Sequence, residues 1–477
     1  MRYITKTDLR VIARNSGMLM IGIGIMCLIP LVFDLIYLEF DVISFVIPAG
    51  ISGFSGLFLM KYFEDVADRK IRLKHGMIIS SFAWIWAAII GGVVFTLATH
   101  IPILDGVFES LSALTGTGIT MFNDVEILPH SILFFRAFEQ WIGGLGVVVM
   151  VISVLTRPGS VSSTLYQSEA REERLKPSVK TTLEKTIQIY AIYTLGGVIL
   201  YLLAGMPIFD SICATFHIIS TGGMGIKNAN MAYYNSDIIY FISMILMILG
   251  ATSFMVHYKV IKTRGKSLLD DLQFKIIISA IAGVTLLLYF TSSIMPMELL
   301  FTVVSAITTT GATIVPAPVM GNWPPFVLVC LMCLMLTGGS TGSTVGAIKL
   351  VRIITYFKGI YRHIREILSP EGRVLPVTLH GRRIPEKAIA QAGNFITLYM
   401  MFIMFTWALF CLFGYDPFKS LFSVITLQGN NGLDSGVITN ALHPALKAIS
   451  ILNMWTGRLE IYPVLITLRT FFEIFKR

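Results

Sequence analysis

The sequence predicts an all-α polytopic membrane protein in which four pseudo-symmetric helix, pore-helix, helix repeats surround a central pore, with a two-helix hairpin added at the N-terminus. Three observations predict this fold class. Hydrophobic residues make up 55% of the 477 residues and charged residues only 14%, which lies outside the range of soluble domains. Apolar runs of membrane-spanning length recur along the whole chain. Between them, four short segments end in similar Gly-rich turns.

Ten apolar runs approach the roughly 20 residues that a helix needs to cross a bilayer. They lie at 17–37, 42–60, 77–98, 132–156, 186–205, 236–257, 274–293, 324–348, 391–413 and 444–470. The first two predict the N-terminal hairpin, within residues 1–75. The others pair into four units, predicted as repeat 1 at 76–184, repeat 2 at 185–270, repeat 3 at 271–389 and repeat 4 at 390–477.

The net charge of +9 is explained by membrane topology rather than by a nucleic-acid partner. Assigning alternate connections to one side of the membrane gathers 30 of the 37 Lys and Arg residues there, whereas the opposite connections hold only Lys227 and Lys419. Basic loops face the cytoplasm. The sequence therefore predicts a multi-pass protein of the cell membrane, in contact with the lipid bilayer, with both termini in the cytoplasm and no bound nucleic acid.

Four short segments carry the chemistry. They read FESLSALTGTGIT at 108–120, FHIISTGGMGI at 216–226, LFTVVSAITTTGATI at 300–314 and LFSVITLQGNNGLDSG at 421–436, and are anchored on Gly118, Gly223, Gly311 and Gly432. Apolar residues stand eleven and seven positions before each anchor, which places them on one face of a helix. Such short helices cannot cross a bilayer. Each segment is expected to enter the outer leaflet as a half-helix and to return as extended chain.

Extended backbone inside a membrane is tolerated only where its carbonyl groups line a polar cavity. A ring of carbonyls from four similar strands can replace the hydration shell of an alkali cation, and the half-helices would aim the negative ends of their dipoles at it. One such segment is usually a packing element or a turn, but four copies favour an ion filter. The predicted filter consists of Thr115, Gly116, Thr117, Gly118, Ser220, Thr221, Gly222, Gly223, Thr308, Thr309, Thr310, Gly311, Gly429, Asn430, Asn431 and Gly432.

Below the filter, the stretch LTGGSTGSTVGAIK at 336–349 interrupts the second helix of repeat 3. Backbone broken in this way cannot face lipid, so we expect it to lie inside the protein, across the permeation path. Its candidate gate residues are Gly338, Gly339, Ser340, Gly342, Ser343 and Gly346. The alternative is a Gly-rich face that packs helices together.

Arg458 is a further candidate gate residue. It follows Lys447 by eleven positions, or roughly 16 Å along a helix, which places it deep in the last span. A charge at that depth is costly and indicates a function. The alternative is a structural ion pair with Glu460 or another acid, although residues two apart on a helix do not face each other.

Several stretches resemble the membrane subunit of the Trk/Ktr/HKT superfamily of potassium transporters, and within it the TrkH branch. They are FRAFEQWIGGLGVVV at 135–149, TTTGA at 308–312, LTGGSTGSTVGAIKLVRI at 336–353 and TGRLEIYPVL at 456–465. The resemblance extends over essentially the whole chain. The extra N-terminal hairpin suits the TrkH branch better than the shorter KtrB type.

The resemblance implies K+ uptake through a pore that also passes Rb+, with K+ bound at filter residues Thr115, Ser220, Thr221, Thr308, Thr309, Asn430 and Asn431. It implies that 336–349 is an intramembrane gating loop and that Arg458 is an electrostatic barrier under the filter. It also implies a homodimer with a cytoplasmic nucleotide-binding regulatory subunit of TrkA type. The chain has no Walker or Rossmann motif. We therefore expect K+ as transported ion, no organic cofactor in this chain and no enzymatic activity.

Two departures from the family pattern leave alternatives open. Gly116 replaces a Thr that the family often has, and the fourth filter reads GNNGL at 429–433, closer to the HKT branch. Gly at all four anchors favours K+, since sodium-selective relatives tend to carry Ser at one. The alternatives are a Na+-permeable or Na+-coupled transporter of the KtrB/HKT type and, with less support from a fourfold repeat, a secondary transporter of an organic solute. Channel-like flux and H+- or Na+-coupled flux both stay open.

Acidic residues near the predicted filter are expected at the outer mouth, most of them solvated in loops. They are Asp105, Glu109, Asp210, Asp416 and Asp434. Such a lining could concentrate cations at the entrance.

Overall fold

The computed structural model describes residues 4–69, 71–146, 179–263, 268–370, 373, 375–379 and 382–475. Regular structure is almost entirely helical, as the sequence predicts. The helices are α1 (Lys6–Leu28), α2 (Leu31–Ile36), α3 (Val42–Tyr62), α4 (Leu73–Thr99), α5 (Ile103–Thr115), α6 (His130–Leu145), α7 (Val179–Leu203), α8 (Ile208–Ile219), α9 (Asp237–Ala251), α10 (Phe254–Thr263), α11 (Leu272–Thr291), α12 (Pro296–Ile307), α13 (Ala317–Met320), α14 (Pro325–Thr337), α15 (Leu350–Ile367), α16 (Glu386–Leu412), α17 (Pro417–Gly429), α18 (Pro444–Arg458) and α19 (Tyr462–Phe475). Short 3-10 turns lie at Glu64–Val66 and Asn230–Tyr234, and strands β1 (Thr378–Leu379) and β2 (Arg382–Arg383) pair antiparallel.

Helices α1 and α3 form the N-terminal hairpin. A capping box begins α1, because the Thr5 side chain accepts from the Asp8 amide while the Asp8 carboxylate accepts from the Thr5 amide. Gly17 and Gly56 let the two helices approach each other, since a Cβ on either one would lie within 3.0 Å of the other's carbonyl oxygen. Small residues at such crossings are typical of membrane helix pairs.

Glu39 joins this hairpin to repeat 1. It lies between α2 and α3, and its carboxylate accepts from the backbone amides of His130 and Ser131 at 2.5 Å and 3.0 Å. These amides belong to the first turn of α6, where backbone donors have no partner within the helix. Glu39 therefore caps a helix that is distant in the sequence.

Among the described residues, six helices are long and apolar enough to cross a membrane, and a seventh span results when α9 and α10 are counted as one bent pair. The six are Lys6–Ile36, Val42–Tyr62, Leu73–Thr99, Glu184–Leu203, Leu272–Thr291 and Glu386–Leu412. These include both hairpin helices and the first helix of every repeat.

The second helix of every repeat stops at a matching place beyond its anchor glycine. The ends are Leu145 in α6, Ala251 in α9, Thr337 in α14 and Arg458 in α18. The sequence indicated such a break only in repeat 3, but the spans predicted at 236–257 and 444–470 are also each divided into two helices, α9 with α10 and α18 with α19. In repeat 2, α10 leaves α9 at a bend of 103°. The part of the predicted span 132–156 beyond Gly146 lies outside the described residues.

A break in a membrane helix frees carbonyl groups that need new donors. In repeat 2 these donors come from the loop of repeat 3: the amide of Thr344 donates to the Gly250 carbonyl at 3.2 Å, and the amide of Ser340 donates to the Ala251 carbonyl at 3.0 Å. Contacts with a distant part of the chain therefore make the break possible.

Short helices α5, α8, α12 and α17 occupy the places of the predicted half-helices. A proline begins each one, since Pro102 and Pro207 are N-caps and Pro296 and Pro417 are first helical residues. Proline suits a helix start because the amide that it lacks would have no partner there. Each helix ends at its Gly-rich turn.

Candidate functional site

The four Gly-rich turns meet in a closed ring. A Cβ built on each anchor glycine would lie within 3.0 Å of a carbonyl oxygen in the next repeat: from Gly118 to Gly222, from Gly223 to Thr310, from Gly311 to Asn431, and from Gly432 back to Thr117. Each of these carbonyls stands one residue before its own anchor. The contact thus passes through the four repeats and returns to its start, and a side chain at any anchor would disrupt it.

The backbone has the same pattern of positive φ in all four turns. The anchor glycine and the residue two before it have positive φ, and the residue between them does not. The pairs are Gly116 (74°) with Gly118 (73°), Thr221 (54°) with Gly223 (69°), Thr309 (50°) with Gly311 (74°), and Asn430 (50°) with Gly432 (99°). Positive φ strains residues that have a Cβ. Gly116 therefore avoids the strain that Thr221, Thr309 and Asn430 carry at the equivalent positions of the other turns.

A hydroxyl group of the pore helix holds the returning chain in repeats 1, 3 and 4. It donates to the carbonyl directly after the anchor glycine. The bonds run from Ser112 to Ile119 at 2.6 Å, from Ser305 to Ala312 at 2.7 Å, and from Thr426 to Leu433. This shared bond explains why small hydroxyl residues precede the turns.

Repeat 2 lacks this hydroxyl and depends on repeat 1 instead. Its corresponding residue, His217, is buried, and its Nδ1 has no hydrogen-bond partner within the part of the chain that the structure describes. Gln140 of α6 provides the support: its Nε2 donates to the Met224 carbonyl at 3.0 Å, and its Oε1 accepts from the Met224 amide at 2.8 Å. Gln140 was not predicted as a site residue, although a polar amide side chain within an otherwise apolar segment was a signal in the sequence.

Two side chains predicted to bind K+ have partners within their own repeat. The hydroxyls of Thr115 and Thr308 donate to carbonyls four residues earlier, at 2.8 Å and 2.7 Å. They also lie 2.8 Å from the hydroxyls of Thr117 and Thr310 respectively. In this arrangement the hydroxyls brace the turn.

Repeat 4 is held by amide side chains that reach both of its neighbours. Asn430 Nδ2 donates to the Thr117 hydroxyl of repeat 1 at 3.1 Å, and Asn431 Nδ2 donates to the Ala306 carbonyl of repeat 3 at 2.8 Å. Both asparagines are buried. A hydroxyl side chain is too short for such a span. The divergent GNNG sequence therefore has a structural cause.

The expected acidic lining of the outer mouth is mostly wrong, because these acids have buried partners. Glu109 is 0% exposed and accepts from Arg136 Nε at 2.8 Å and from the Met121 amide at 2.7 Å. Arg136 also donates to the Gly225 carbonyl at 3.0 Å. A buried carboxylate is stable only with such partners. The pair joins the outer ends of turns 1 and 2.

The other acids likewise fix local structure. Asp105, Asp210 and Asp434 are buried, whereas Asp416 is exposed, as expected, and caps α17. Their partners are Lys447 for Asp105, Ser423 for Asp434, Tyr234 at 2.9 Å for Asp210, and the Lys419 amide at 2.8 Å for Asp416. Solvation in loops was expected because the sequence does not reveal partners on other elements.

The loop at 338–349 lies against the inner side of the ring. It contacts the ends of three pore helices: the Thr344 hydroxyl lies 3.1 Å from that of Thr221, the Gly346 amide donates to the Thr309 hydroxyl at 3.1 Å, and the Ala347 amide donates to the Gly429 carbonyl at 3.0 Å. The predicted filter and the predicted gate are therefore adjacent.

The remaining candidate gate residues tie the loop to the breaks around it. The Gly342 carbonyl accepts from the first amide of α10 at 3.0 Å, and the Gly339 carbonyl accepts from the first amide of α15 at 3.2 Å. Ser343 donates to the Ser340 carbonyl at 2.6 Å. Gly338 has a φ of 66°, and a Cβ on it would lie within 3.0 Å of Ala347. The loop is folded compactly rather than as a helix-packing face.

Arg458 lies between the loop and repeat 1 and donates hydrogen bonds to both. Its Nη1 donates to the Thr344 carbonyl at 2.7 Å, and its Nη2 donates to the carbonyls of Gly143 and Gly144. Its guanidinium also lies over the Trp84 ring, 5.6 Å from the centroid. Arg458 thus contacts the loop of repeat 3 and the helix break of repeat 1 from its own break in repeat 4.

Comparisons with known proteins agree with this geometry. The chain matches the TrkH family of cation transport proteins over residues 54–473. An uncharacterised cation transporter of Methanocaldococcus jannaschii is 35% identical over 470 residues, covering 98% of this chain and 97% of that relative. The Trk system potassium uptake protein TrkH of Salmonella typhimurium is 29% identical over 416 residues, covering 83% and 85%.

A solved structure has the same architecture. The crystal structure of the potassium transporter TrkH from Vibrio parahaemolyticus is similar with a TM-score of 0.83 and 26% sequence identity, covering 96% of this chain and 98% of that one. The all-helical membrane fold predicted from the sequence is confirmed. The chain belongs to the TrkH family of cation transport proteins, whose members are multi-pass membrane transporters and not enzymes.

Proposed function

We propose that this protein takes up K+, and also Rb+, across the cell membrane through the ring of four Gly-rich turns. The observation that supports this most directly is the closed cycle of contacts from anchor glycine to neighbouring carbonyl. Four turns in one geometry around one axis suit a spherical cation. Two relatives, a potassium uptake protein and a potassium transporter, agree with this assignment.

The chemistry of the ring favours a cation in two ways. Backbone carbonyls can replace water in the hydration shell of K+. Helices α5, α8, α12 and α17 also end at the ring, so the negative ends of four dipoles lie near it. The anchors are glycine in every repeat, and we infer selectivity for K+ over Na+ from this. Transport through this path needs no covalent step and no organic cofactor.

The loop at 338–349 and Arg458 would form the gate of this pore. The loop contacts turns 2, 3 and 4 from the inner side, and Arg458 connects it to repeat 1. A cation that leaves the filter would meet the loop and a guanidinium. Moving both aside would open the path without changing the filter.

The protein would act within a larger assembly. The relatives are described as parts of a Trk system. We extend to this chain a homodimer and a cytoplasmic nucleotide-binding regulatory subunit of TrkA type. Both termini would lie in the cytoplasm, because the basic connections do.

Uptake of radioactive Rb+ into liposomes that contain the purified protein tests this proposal. We expect uptake that excess external K+ suppresses and that equal Na+ leaves nearly unchanged. Protein-free liposomes are the control. Uptake that Na+ suppresses as well as K+ does would contradict K+ selectivity, and the absence of any cation uptake would contradict the pore.

A further inference from the structure

Glu460 lies in the helix break of repeat 4, two residues after Arg458. It is 7% exposed, and the backbone there is unusual, since Glu460 and Ile461 have φ of 57° and 66°. Non-glycine residues rarely adopt positive φ, and a β-branched residue such as Ile461 does so only under constraint. Something outside this short segment must therefore hold the break in place.

The carboxylate of Glu460 binds both cations at the inner end of the gating loop. Lys349 Nζ lies 2.8 Å from its Oε1, and Arg352 Nη2 contacts its Oε2. Lys349 is the residue at which the loop ends and α15 begins, and it too has positive φ, 74°. The ion pair therefore joins two segments of strained backbone, one at Lys349 and one at Glu460.

Three positive side chains are close together here. Lys349 interacts electrostatically with Glu460, Arg352 and Arg458. All of these groups are largely removed from water, where like charges repel more strongly than in solution. A buried ion pair that loses one partner leaves an uncompensated charge, which is strongly unfavourable.

We propose that Glu460 is a positioning residue that keeps the loop across the pore by neutralising Lys349 and Arg352. This inference rests on the proposed function. Without the carboxylate, repulsion among Lys349, Arg352 and Arg458 would drive the inner end of the loop away from repeat 4. Lys349 is the N-cap of α15, so a displacement of α15 would carry the end of the loop with it and separate Lys349 from Glu460.

The test compares Rb+ uptake by liposomes containing wild type, Glu460→Gln and a matched control, Glu386→Gln. Glu386 also pairs with α15, through Arg362 at 2.8 Å, but its side chain is 76% exposed, so its charge is screened by water. We expect Glu460→Gln to raise the initial rate about fivefold or more, the lower range for coupling between two sites. Glu386→Gln should leave the rate unchanged. An unchanged or lower rate in Glu460→Gln would overturn the inference.

A second variant separates electrostatic positioning from general damage. Adding Lys349→Met to Glu460→Gln removes one of the repelling charges, so uptake should return towards the wild-type rate. If the double variant is as fast as the single one or faster, Glu460 does not act through charge. If Glu460→Gln does not fold, Glu460→Asp takes its place: it keeps the neutralising charge, so uptake should stay near the wild-type rate, and a fivefold rise would contradict action through charge.

The wild-type measurement distinguishes this failure from failure of the proposed function. If wild-type uptake is suppressed by K+ but Glu460→Gln is unchanged, only the role of Glu460 is wrong. If wild type takes up no Rb+, the proposed pore itself is wrong.

Discussion

Repeats 3 and 4 differ in how they hold the ring and what they place beneath it. In repeat 3, Thr308 and Thr310 brace their own turn, and the second helix supplies the loop. In repeat 4, Asn430 and Asn431 reach into both neighbouring turns, and the second helix supplies Arg458. The two repeats contribute similar turns to the ring, but the breaks in their second helices contribute different parts of the gate: the loop in repeat 3 and Arg458 in repeat 4. Selectivity and gating should therefore fail separately when these residues are changed.

The largest effect is expected from a side chain at an anchor glycine. In Gly311→Ser the new Cβ would lie within 3.0 Å of the Asn431 carbonyl, and φ of 74° strains it further. The carbonyl ring must distort, so we expect the preference for K+ over Na+ to fall about tenfold, or about 1.4 kcal/mol. Rb+ uptake with competing K+ or Na+ measures this.

Gly283→Ser is the matched control for that change. Gly283 lies in α11 with nothing within 4 Å of a built Cβ, so its substitution should leave selectivity intact. Unchanged ion competition in Gly311→Ser, with both variants folded, would mean that the ring is not the filter.

The second-largest effect is expected from a change at Arg458, which lies below the ring. Arg458→Ala removes the bonds to the Thr344 and Gly143 carbonyls, so the loop loses its contact with repeat 1. We expect Rb+ uptake to rise about fivefold, within the range for a coupling between sites, while the ratio of K+ to Na+ competition stays as in wild type. Arg469→Ala, which removes an Arg on the exposed face of α19, is the control.

If Arg458→Ala changes ion selectivity as well as the uptake rate, the ring and the loop do not have separate functions. A lower rate with a lower melting temperature would show instead that Arg458 is mainly structural. The sign of the change in uptake rate separates the two roles, because the barrier role predicts a higher rate and the structural role a lower one.

The ring was more predictable from the sequence than the structure beneath it. The anchors at Gly118 and Gly311 were visible because glycine at a tight contact has no substitute and the helical spacing before it is local. The break after Ala251 was not, because Thr252 and Ser253 do not interrupt helices by themselves. The loop of repeat 3, far along the chain, provides the donors that stabilise it.

The partners of the buried acidic residues were also not predictable from the sequence. Glu109 and Glu460 lie beside apolar segments, and the sequence does not show that Arg136 and Lys349 approach them. Glu109 and Arg136 lie on different helices of repeat 1, and Lys349 and Glu460 lie in different repeats, so only the folded chain brings either pair together. A lone acid in an apolar stretch was nevertheless a signal that a buried partner exists.

A smaller effect is expected from the bonds between turns. Asn431→Leu removes the side-chain bond that links turn 4 to the Ala306 carbonyl of repeat 3, and also the acceptor of the Leu433 amide. Each such bond contributes about 0.5–1.5 kcal/mol. Ser305→Ala removes one bond, to the Ala312 carbonyl within repeat 3, and does not separate two repeats. We expect the larger loss of melting temperature in Asn431→Leu. Equal losses would mean that repeat 4 is held no differently from repeat 3.

The smallest effect is expected where the hairpin meets the repeats. Burial raises the pKa of the Glu39 carboxyl, but hydrogen bonds from Ser131 and His130 outweigh it, so the pKa lies below its ordinary value. A lowered pKa in the folded protein stabilises it above the unfolded pKa of about 4.3, and this contribution is lost as pH falls below that value. Glu39→Gln should therefore melt below wild type at neutral pH, and the gap should shrink on acidification. Since Glu39 contacts neither ring nor loop, uptake at neutral pH should stay unchanged, and a changed ion selectivity would mean that the hairpin reaches the filter.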